Sequence, residues 1–448
     1  MRDSLKKGAL GLLDAFAMAV AGAAPAYSVT ASTAALIVAV GVAGPAALCV
    51  AFLPMMGVAT AFAYLNRWRS DAGAAYTWVG RALDPSLGFM AGWALLCLST
   101  IFMVVAALPA GDATLDLIAP EQSHNVLWAT GVGVLWFLAV LAIVTVGIAA
   151  SARAQLVLTF LEIATLALVS VLAIWNARAA PATAFSWNWF LPSTAGSFQS
   201  FADGLLVTIF YFFGWDVSAN LAEETAHAKT TAGLGGILGV LAVFGLYLLA
   251  QVAAQMALTP GEIEAQSANL LPALGQAALP RPWSSIAVLA VLVSAVATIE
   301  TQLLQCTRLL FSMARDGVIG AAIGRLHPRF RTPWLAGFAV AGVSLLLFAA
   351  SATVHSVNEL MRDLINAIGV QISFYYALAA FACVAHYRKA MLSDWRLLAF
   401  AGIVPLTSGL LVAGVGLYQL PHLGWRISLL SIGSILIGLA PLWAYRRR

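Results

Sequence analysis

Apolar residues recur along this chain in continuous runs of about twenty, with polar residues confined to short islands between them. Strands of a membrane barrel would be about half that length and would alternate in polarity. Runs this long and uniform predict helices that cross a hydrocarbon core, where the backbone must satisfy its own hydrogen bonds. Twelve segments follow, at about 9–40, 46–65, 85–108, 125–149, 154–176, 199–222, 234–258, 285–314, 335–352, 360–385, 397–418 and 427–445. The fold class they define is an all-α integral membrane protein. The longest polar connections, 177–198, 259–284 and 315–334, are too short to enclose a separate soluble core, so residues 1–448 are read as a single domain.

Composition sharpens this. Hydrophobic residues make up 62% of the 448 positions and charged residues 9%, against roughly a quarter charged in soluble proteins. An even number of crossings puts both termini on one side. All Lys and Arg except Arg178, Arg281, Arg362 and Arg426 then fall on the side of the termini, which the positive-inside rule assigns to the cytoplasm. Arg2, Lys6 and Lys7 before an apolar stretch, with Ala24-Pro25-Ala26 beyond, have the form of a secretory signal. The apolar run resumes at once from Tyr27 to Val40, so the segment is expected to remain as a span. Cys49, Cys97, Cys306 and Cys383 lie within apolar runs and carry no metal-ligand or disulfide spacing. The histidines sit in loops or at segment ends, so no catalytic, cofactor or metal cluster is indicated, and no basic face points to nucleic acid. Gly235-Gly236-x-x-Gly239 opens a membrane segment rather than a βαβ unit and is read as close helix packing.

Two segments are interrupted in corresponding places. The first contains Gly22-Ala23-Ala24-Pro25 and the sixth contains Phe213-Gly214-Trp215-Asp216. Proline removes a donor and glycine weakens the helix, and Asp216 stands within an apolar stretch. The breaks are five segments apart, so the two halves have opposite topology, the arrangement of inverted repeats around a mid-membrane site. A broken helix offers free N–H groups at one half and free C=O groups at the other, suited to the carboxylate and ammonium of a zwitterion.

The stretches NRWRSDAGAAYTWVGRALDPSLGFMAGW (Asn66 to Trp93), FYFFGWDVSANLAEET (Phe210 to Thr225) and RLLFSMARDGVIGAAIGRLHPRFRTP (Arg308 to Pro333) resemble the amino acid–polyamine–organocation permease superfamily over essentially the whole chain. The resemblance implies a five-plus-five inverted repeat, about 9–176 and 199–385, with two further helices at about 397–445. It also implies alternating access, with substrate held at broken helices one and six. Superfamily members often carry Gly-Ser-Gly in helix one. This chain has Gly22-Ala23-Ala24-Pro25-Ala26-Tyr27, so the N–H groups of Ala23, Ala24 and Ala26 are the expected carboxylate donors.

The candidate substrate site is therefore Gly22, Ala23, Ala24, Ala26, Phe213, Gly214, Trp215 and Asp216. Asp216 suits a substrate contact or the N-cap of the second half-helix, and the cap is expected. Phe213 and Trp215 could close over a solute or simply pack. Glu162 and Glu300 lie within segments five and eight, where a carboxylate is costly unless paired or protonated. Some proton-linked relatives carry a lysine where Glu162 falls, so Glu162 is expected to take the coupling proton and Glu300 to tune it. A sodium-coupled alternative would use helix-one carbonyls with Ser294, Thr298 or Thr301. Asp203 is expected in the wet first turn of segment six, Glu223 and Glu224 facing water or the basic loops, and Arg308 snorkelling toward the cytoplasm. A salt-bridge gate between the glutamates and Arg67, Arg81 or Arg315 is a further possibility.

The function expected is secondary transport of amino acids across a bacterial inner membrane, coupled to protons, with membrane lipid as surroundings and the protein a monomer or loose oligomer. A polyamine or amine carrier and an exchanger are the alternatives of the same fold. A channel is the alternative of another class, and it would need a continuous polar pore face.

Overall fold

The computed structural model describes residues 4–123, 125–266, 269–351 and 357–446. Arg2, Arg447 and Arg448 lie outside them, as do the side chains of Arg362 and Arg446. Among the described residues every regular element is helical, apart from one bridge between Leu10 and Thr225.

The first run is two helices in line, α1 (Leu12–Ala23) and α2 (Pro25–Val40). Ala24 between them is left-handed at φ 49°. Pro25 lacks an N–H but occupies the first position of α2, where that donor would have no partner within the helix. After α3 (Gly44–Trp68) and the short α4 (Ala75–Ala82), Asp84 caps α5 (Pro85–Ile118) by accepting from the Ser86 N–H at 2.8 Å. α5 runs through Pro109 to end ten residues beyond its predicted limit at 108. α6 (Val126–Val146) and α7 (Ile148–Ala177) meet at Gly147, whose φ of 138° only glycine adopts easily.

The sixth segment is broken as predicted. α8 (Phe198–Tyr211) ends in an irregular turn over 212–216, followed by the single turn α9 (Val217–Asn220). Beyond it come α10 (Ala228–Ala257), the small α11 (Pro260–Ala265) and α12 (Leu270–Ala278), then α13 (Ser285–Arg315), α14 (Trp334–Ser351) and α15 (Val357–Tyr387). α16 (Trp395–Leu397) and α17 (Val404–Gln419) are joined by a π-helical stretch, Leu398–Ile403. A second one, Leu429–Gly433, separates α18 (Trp425–Ser428) from α19 (Ser434–Ile437) and α20 (Leu439–Arg446). Ten stretches of the described residues are long and apolar enough to cross a membrane. The first, Leu12–Trp68, joins α1, α2 and α3; α8 and α9 are each too short to qualify.

Small residues let these helices approach closely. A Cβ on Gly233, Gly235 or Gly239 of α10 would lie within 2.7 Å of Ala63, Ala15 or Ala19. The glycine run is thus a packing face, as its sequence suggested.

Contacts sort the bundle into two ends. At one, the start of α1, the end of α9, the loop after α3 and the end of α13 converge, bringing together Arg69, Arg308 and Arg315. This is the basic end. At the other, the C-terminal ends of α2, α5 and α17 and the starts of α8 and α15 surround an open cavity of about 670 Å³, the vestibule end.

Candidate functional site

The two breaks touch. A Cβ added to Gly22 would lie 2.1 Å from the Gly214 carbonyl oxygen, and one on Gly214 would lie 2.1 Å from that of Gly22. Gly214 also has φ 103°. No other residue fits either position, which explains why the interruptions of two distant segments are both built on glycine.

The peptide groups exposed by the first break are taken up by three neighbouring helices. The Ala26 N–H donates to Glu162 Oε1 of α7 at 2.9 Å, and the Tyr27 N–H donates to Ser294 Oγ of α13 at 3.1 Å. On the acceptor side, Thr298 donates to the Gly22 carbonyl at 3.0 Å, and Tyr247 of α10 donates to that of Ala23 at 2.9 Å. The Ala24 N–H stays within the helix, bonded to Val20. Of the three predicted amides, Ala26 alone is therefore shown facing a neighbouring helix, and the group it meets is a carboxylate. Glu162 is 1% exposed, and its second oxygen has no partner. Glu300 is buried on α13 with Oε1 unpartnered, and among the described residues no hydrogen bond joins it to Glu162.

Asp216 does not cap α9. Its side chain makes no bond to the helix N–H groups and instead accepts from Gln305 Nε2 at 2.7 Å, Tyr375 Oη at 3.0 Å and Tyr376 Oη at 2.9 Å. A fully buried carboxylate needs several donors to replace its hydration, and three polar side chains of α13 and α15 supply more than one helix turn could. Gln305 also donates to Asn220 Oδ1 at 3.1 Å, linking the break to the basic end.

Trp215 and Phe213 are packed rather than poised over open space. Trp215 stands edge-on to Phe62 of α3, with ring centroids 5.2 Å apart, and lies beside Tyr376 and Gly236. Phe213 joins Phe102, which also meets Tyr27 and Phe210. Leu206, Val207 and Leu108 line the vestibule, so these rings form a layer about one turn deeper. The vestibule's walls bring Asp112, Asp203 and Glu264 to the cavity, and Asp203, partly exposed there, also accepts from Gln199 and Gln419, each at 2.8 Å.

At the basic end the chain is closed. The Leu10 N–H donates to the Glu224 carbonyl at 3.1 Å and the Ala226 N–H to that of Leu10 at 2.8 Å. Arg308 is fully buried and grips the Glu224 carboxylate through Nε and Nη2 at 2.9 and 3.0 Å. Both expectations for these residues are corrected: the pair neutralises itself inside the bundle, which makes snorkelling unnecessary. Arg315 bridges Glu223 at 2.9 Å and Asp71 at 3.0 Å, and Arg69 adds a contact to Asp71 at 3.2 Å. Of the three arginines considered for a salt-bridge gate, Arg315 is the one that pairs with a glutamate of this segment among the described residues. Asp71 was not singled out from sequence, although it lies in the quoted RWRSDAGAAY stretch. Burial alone would raise its carboxyl. The Arg315 guanidinium, the Gly73 N–H and the Ser312 and Thr77 hydroxyls outweigh burial and hold it below the usual carboxylate value.

Two broken helices in contact at the centre of an all-helical membrane bundle, open at one end and closed at the other, are the arrangement of a permease-type transporter. A family model described as amino acid permease matches residues 10–443, and the chain belongs to that family. The chain is similar to the methylthioribose transporter of Bacillus subtilis (strain 168), 25% identical over 86% of this chain and 82% of that protein. It is also similar to the serine/threonine exchanger SteT of the same organism, 22% identical over 83% and 81%. The low-affinity putrescine importer PlaP of Escherichia coli (strain K12) is 24% identical over 67% of this chain and 66% of that protein.

Proposed function

We propose that this permease carries amino acids across the cytoplasmic membrane by alternating access, driven by protons. In this reading the chain makes twelve crossings, arranged as inverted repeats over about 9–176 and 199–385, with the basic end and both termini in the cytoplasm. The substrate sits where Gly22, Ala23, Ala24 and Ala26 meet Phe213, Gly214, Trp215 and Asp216.

The observation that carries the proposal is the hydrogen bond from the Ala26 N–H to Glu162 at 2.9 Å. While Glu162 is ionised it occupies a donor at the helix-one break. A proton arriving on Glu162 removes its charge and weakens that bond, and the amide becomes available to the carboxylate of a substrate. Proton and substrate then favour each other's binding, which is the coupling a symporter requires. Glu300, at a distance, sets the ease of that protonation. A second reading, an amine carrier, is favoured by the three carboxylates lining the vestibule and by similarity to a protein named as a putrescine importer.

Proteoliposomes test these readings with labelled serine, leucine and putrescine, with and without an inward proton gradient. Wild type is expected to accumulate an amino acid only under the gradient, and Glu162→Gln to lose that accumulation while still exchanging label. Gradient-driven accumulation by Glu162→Gln overturns the coupling role. Putrescine uptake untouched by excess amino acid selects the amine carrier, and flux that never saturates selects a channel.

A further inference from the structure

One face of α7 carries polar side chains where a membrane helix would ordinarily be apolar. Gln155, Thr159 and Glu162 are spaced four and three residues apart, so they share a face, and all are at most 1% exposed. Thr159 donates to the Ala17 carbonyl at 3.3 Å, which turns this face toward α1. Neither the oxygen nor the nitrogen of the Gln155 amide has a partner, and neither does Glu162 Oε2. A buried amide with both ends unpaired is strongly unfavourable in a dry interior. A polar site of this kind is ordinarily hydrated. Toward the vestibule end the file stops: the next position on the face is Leu166, fully buried. Toward the basic end it continues to Gln155, where the next described position on the face is the small Ala152, buried within one turn of the start of α7.

We propose that Gln155 and Thr159 hold a file of buried water that carries the proton of Glu162 to the basic end, apart from the path of the solute. This rests on the proton-coupled reading given above. Seven residues of helix place Gln155 about 10 Å from Glu162, a distance that two or three waters span with the Thr159 hydroxyl between them. The proton leaves Glu162 Oε2 for the first water, and a proton leaves the last water for solution. Glu162 returns to its anionic form and recaptures the Ala26 N–H. The solute leaves between the loop after α3 and the joined α9 and α13, where Asp71 meets Arg315, and not along the α7 face.

Among the elements packed against α7, α10 brings Tyr247, committed to the Ala23 carbonyl, and Lys229 at its start. α13 brings Glu300, Cys306, Arg308 (held by Glu224) and Arg315 at its end. α1 brings Asp14, which accepts from its own Gly11 N–H at 2.7 Å, and α2 brings Tyr27, which donates to Val105 at 3.1 Å. α6 and α12 bring no titratable side chain. Gln155 and Thr159 are neutral, so their loss leaves the charge around Glu162 unchanged.

The test uses the full chain in proteoliposomes with labelled serine or leucine, whichever wild type accumulates. Gradient-driven accumulation requires the proton to leave at the basic end, whereas counterflow between equal pools runs with Glu162 loaded throughout. Gln155→Leu and Thr159→Val are expected to slow accumulation about tenfold, the equivalent of one buried hydrogen bond, with counterflow held within about twofold. Gln155→Asn, which retains the amide, restores most of the rate. If both variants keep the wild-type ratio of accumulation to counterflow, the water file is overturned. Should Gln155→Leu fail to insert, Thr159→Val, nearly identical in shape, decides alone. A wild type indifferent to the gradient, or accumulation by Glu162→Gln, removes the coupling reading and this inference with it. Loss in Glu162→Gln with no change in the other two removes the file alone.

Discussion

The two ends of this bundle are framed by the same interrupted helices and held in opposite ways. At the vestibule end, Ala31, Ala34, Ala35 and Ala39 of α2 face a cavity of about 670 Å³. At the basic end, three ionic contacts and a pair of backbone hydrogen bonds draw the start of α1, the loop after α3, the end of α9 and α13 together. The ionic contacts themselves fall into two kinds. Arg308 and Glu224 are 0% and 1% exposed, while Arg315 and Glu223 are 38% and 20% exposed. Separating a dry pair strands two charges in a low dielectric, whereas a wet pair parts into water at little cost. The dry pair therefore joins α9 to α13 as one body, with Arg315 and Glu223 inside it, and the contact of Arg315 with Asp71, in the loop after α3, is the part able to open. An alternating-access carrier needs both: a rigid element to move and a weak latch to release it.

The largest effect is expected where the two ends meet. Gly22→Ala places a Cβ 2.1 Å from the Gly214 oxygen, backbone against backbone, with no flexible neighbour to yield. Overpacking of this kind costs several kcal/mol, so transport is lost and thermal unfolding in detergent moves sharply down. A variant with wild-type uptake would show that the breaks separate in the working protein. Next, Arg308→Met leaves Glu224 buried and unpaired, destabilising by about 3–5 kcal/mol. Adding Glu224→Leu is expected to recover most of that loss. Recovery of stability without recovery of uptake would make the pair part of the moving element; if the double variant is no more stable than the single, the pair is not the dry joint described. Third, Asp216→Asn removes an acceptor from a site with three donors and costs about 1–3 kcal/mol, read from the same unfolding curves. Tyr375→Phe and Tyr376→Phe, each removing one donor, should fall below it.

How far the sequence reached depended on the range of the forces involved. The spans were legible because burial in lipid imposes a length and an apolar composition on each stretch. The breaks were legible because proline and glycine act locally: Pro25 and Gly214 mark the interruptions within a residue or two of where they occur. Helix ends were less so: α5 continues past 108 because a proline alone does not stop a membrane helix, even where, as at Pro109, it lines the vestibule. The partners of charged groups were the least legible. Asp216 was expected to serve its own helix, but its donors come from positions 305, 375 and 376, and nothing local to Asp216 announces them. Arg308 and Glu224 each read as facing water when taken alone, and only their pairing across 84 positions makes burial possible. Glu162 was found because a lone acid in an apolar run is itself the signal.

The smallest expected effect tests the latch most directly. Asp71→Asn removes the partner that Arg315 and Arg69 share while leaving the dry pair intact. Asp71 is buried, but asparagine keeps an acceptor for the Gly73 N–H and the Thr77 and Ser312 hydroxyls, so the loss is that of the contact with Arg315, more than a third exposed: at most about 1 kcal/mol, up to about fivefold in the fraction of molecules open at the basic end. Ala222→Cys, buried beside Glu223, reports that fraction through its rate of alkylation against the parent chain. The pH dependence follows from Asp71 being held below the usual carboxylate value. A carboxyl with a depressed pKa contributes its stabilisation above the ordinary value near about 4 and loses it only as pH falls through the lowered one. From about pH 5 to about 8 Asp71 is thus fully charged, and the ratio of alkylation rates between Asp71→Asn and its parent should stay constant. A ratio that changes across that range would mean that the latch itself takes the driving proton, and the division of labour between a wet latch and a buried Glu162 would fail.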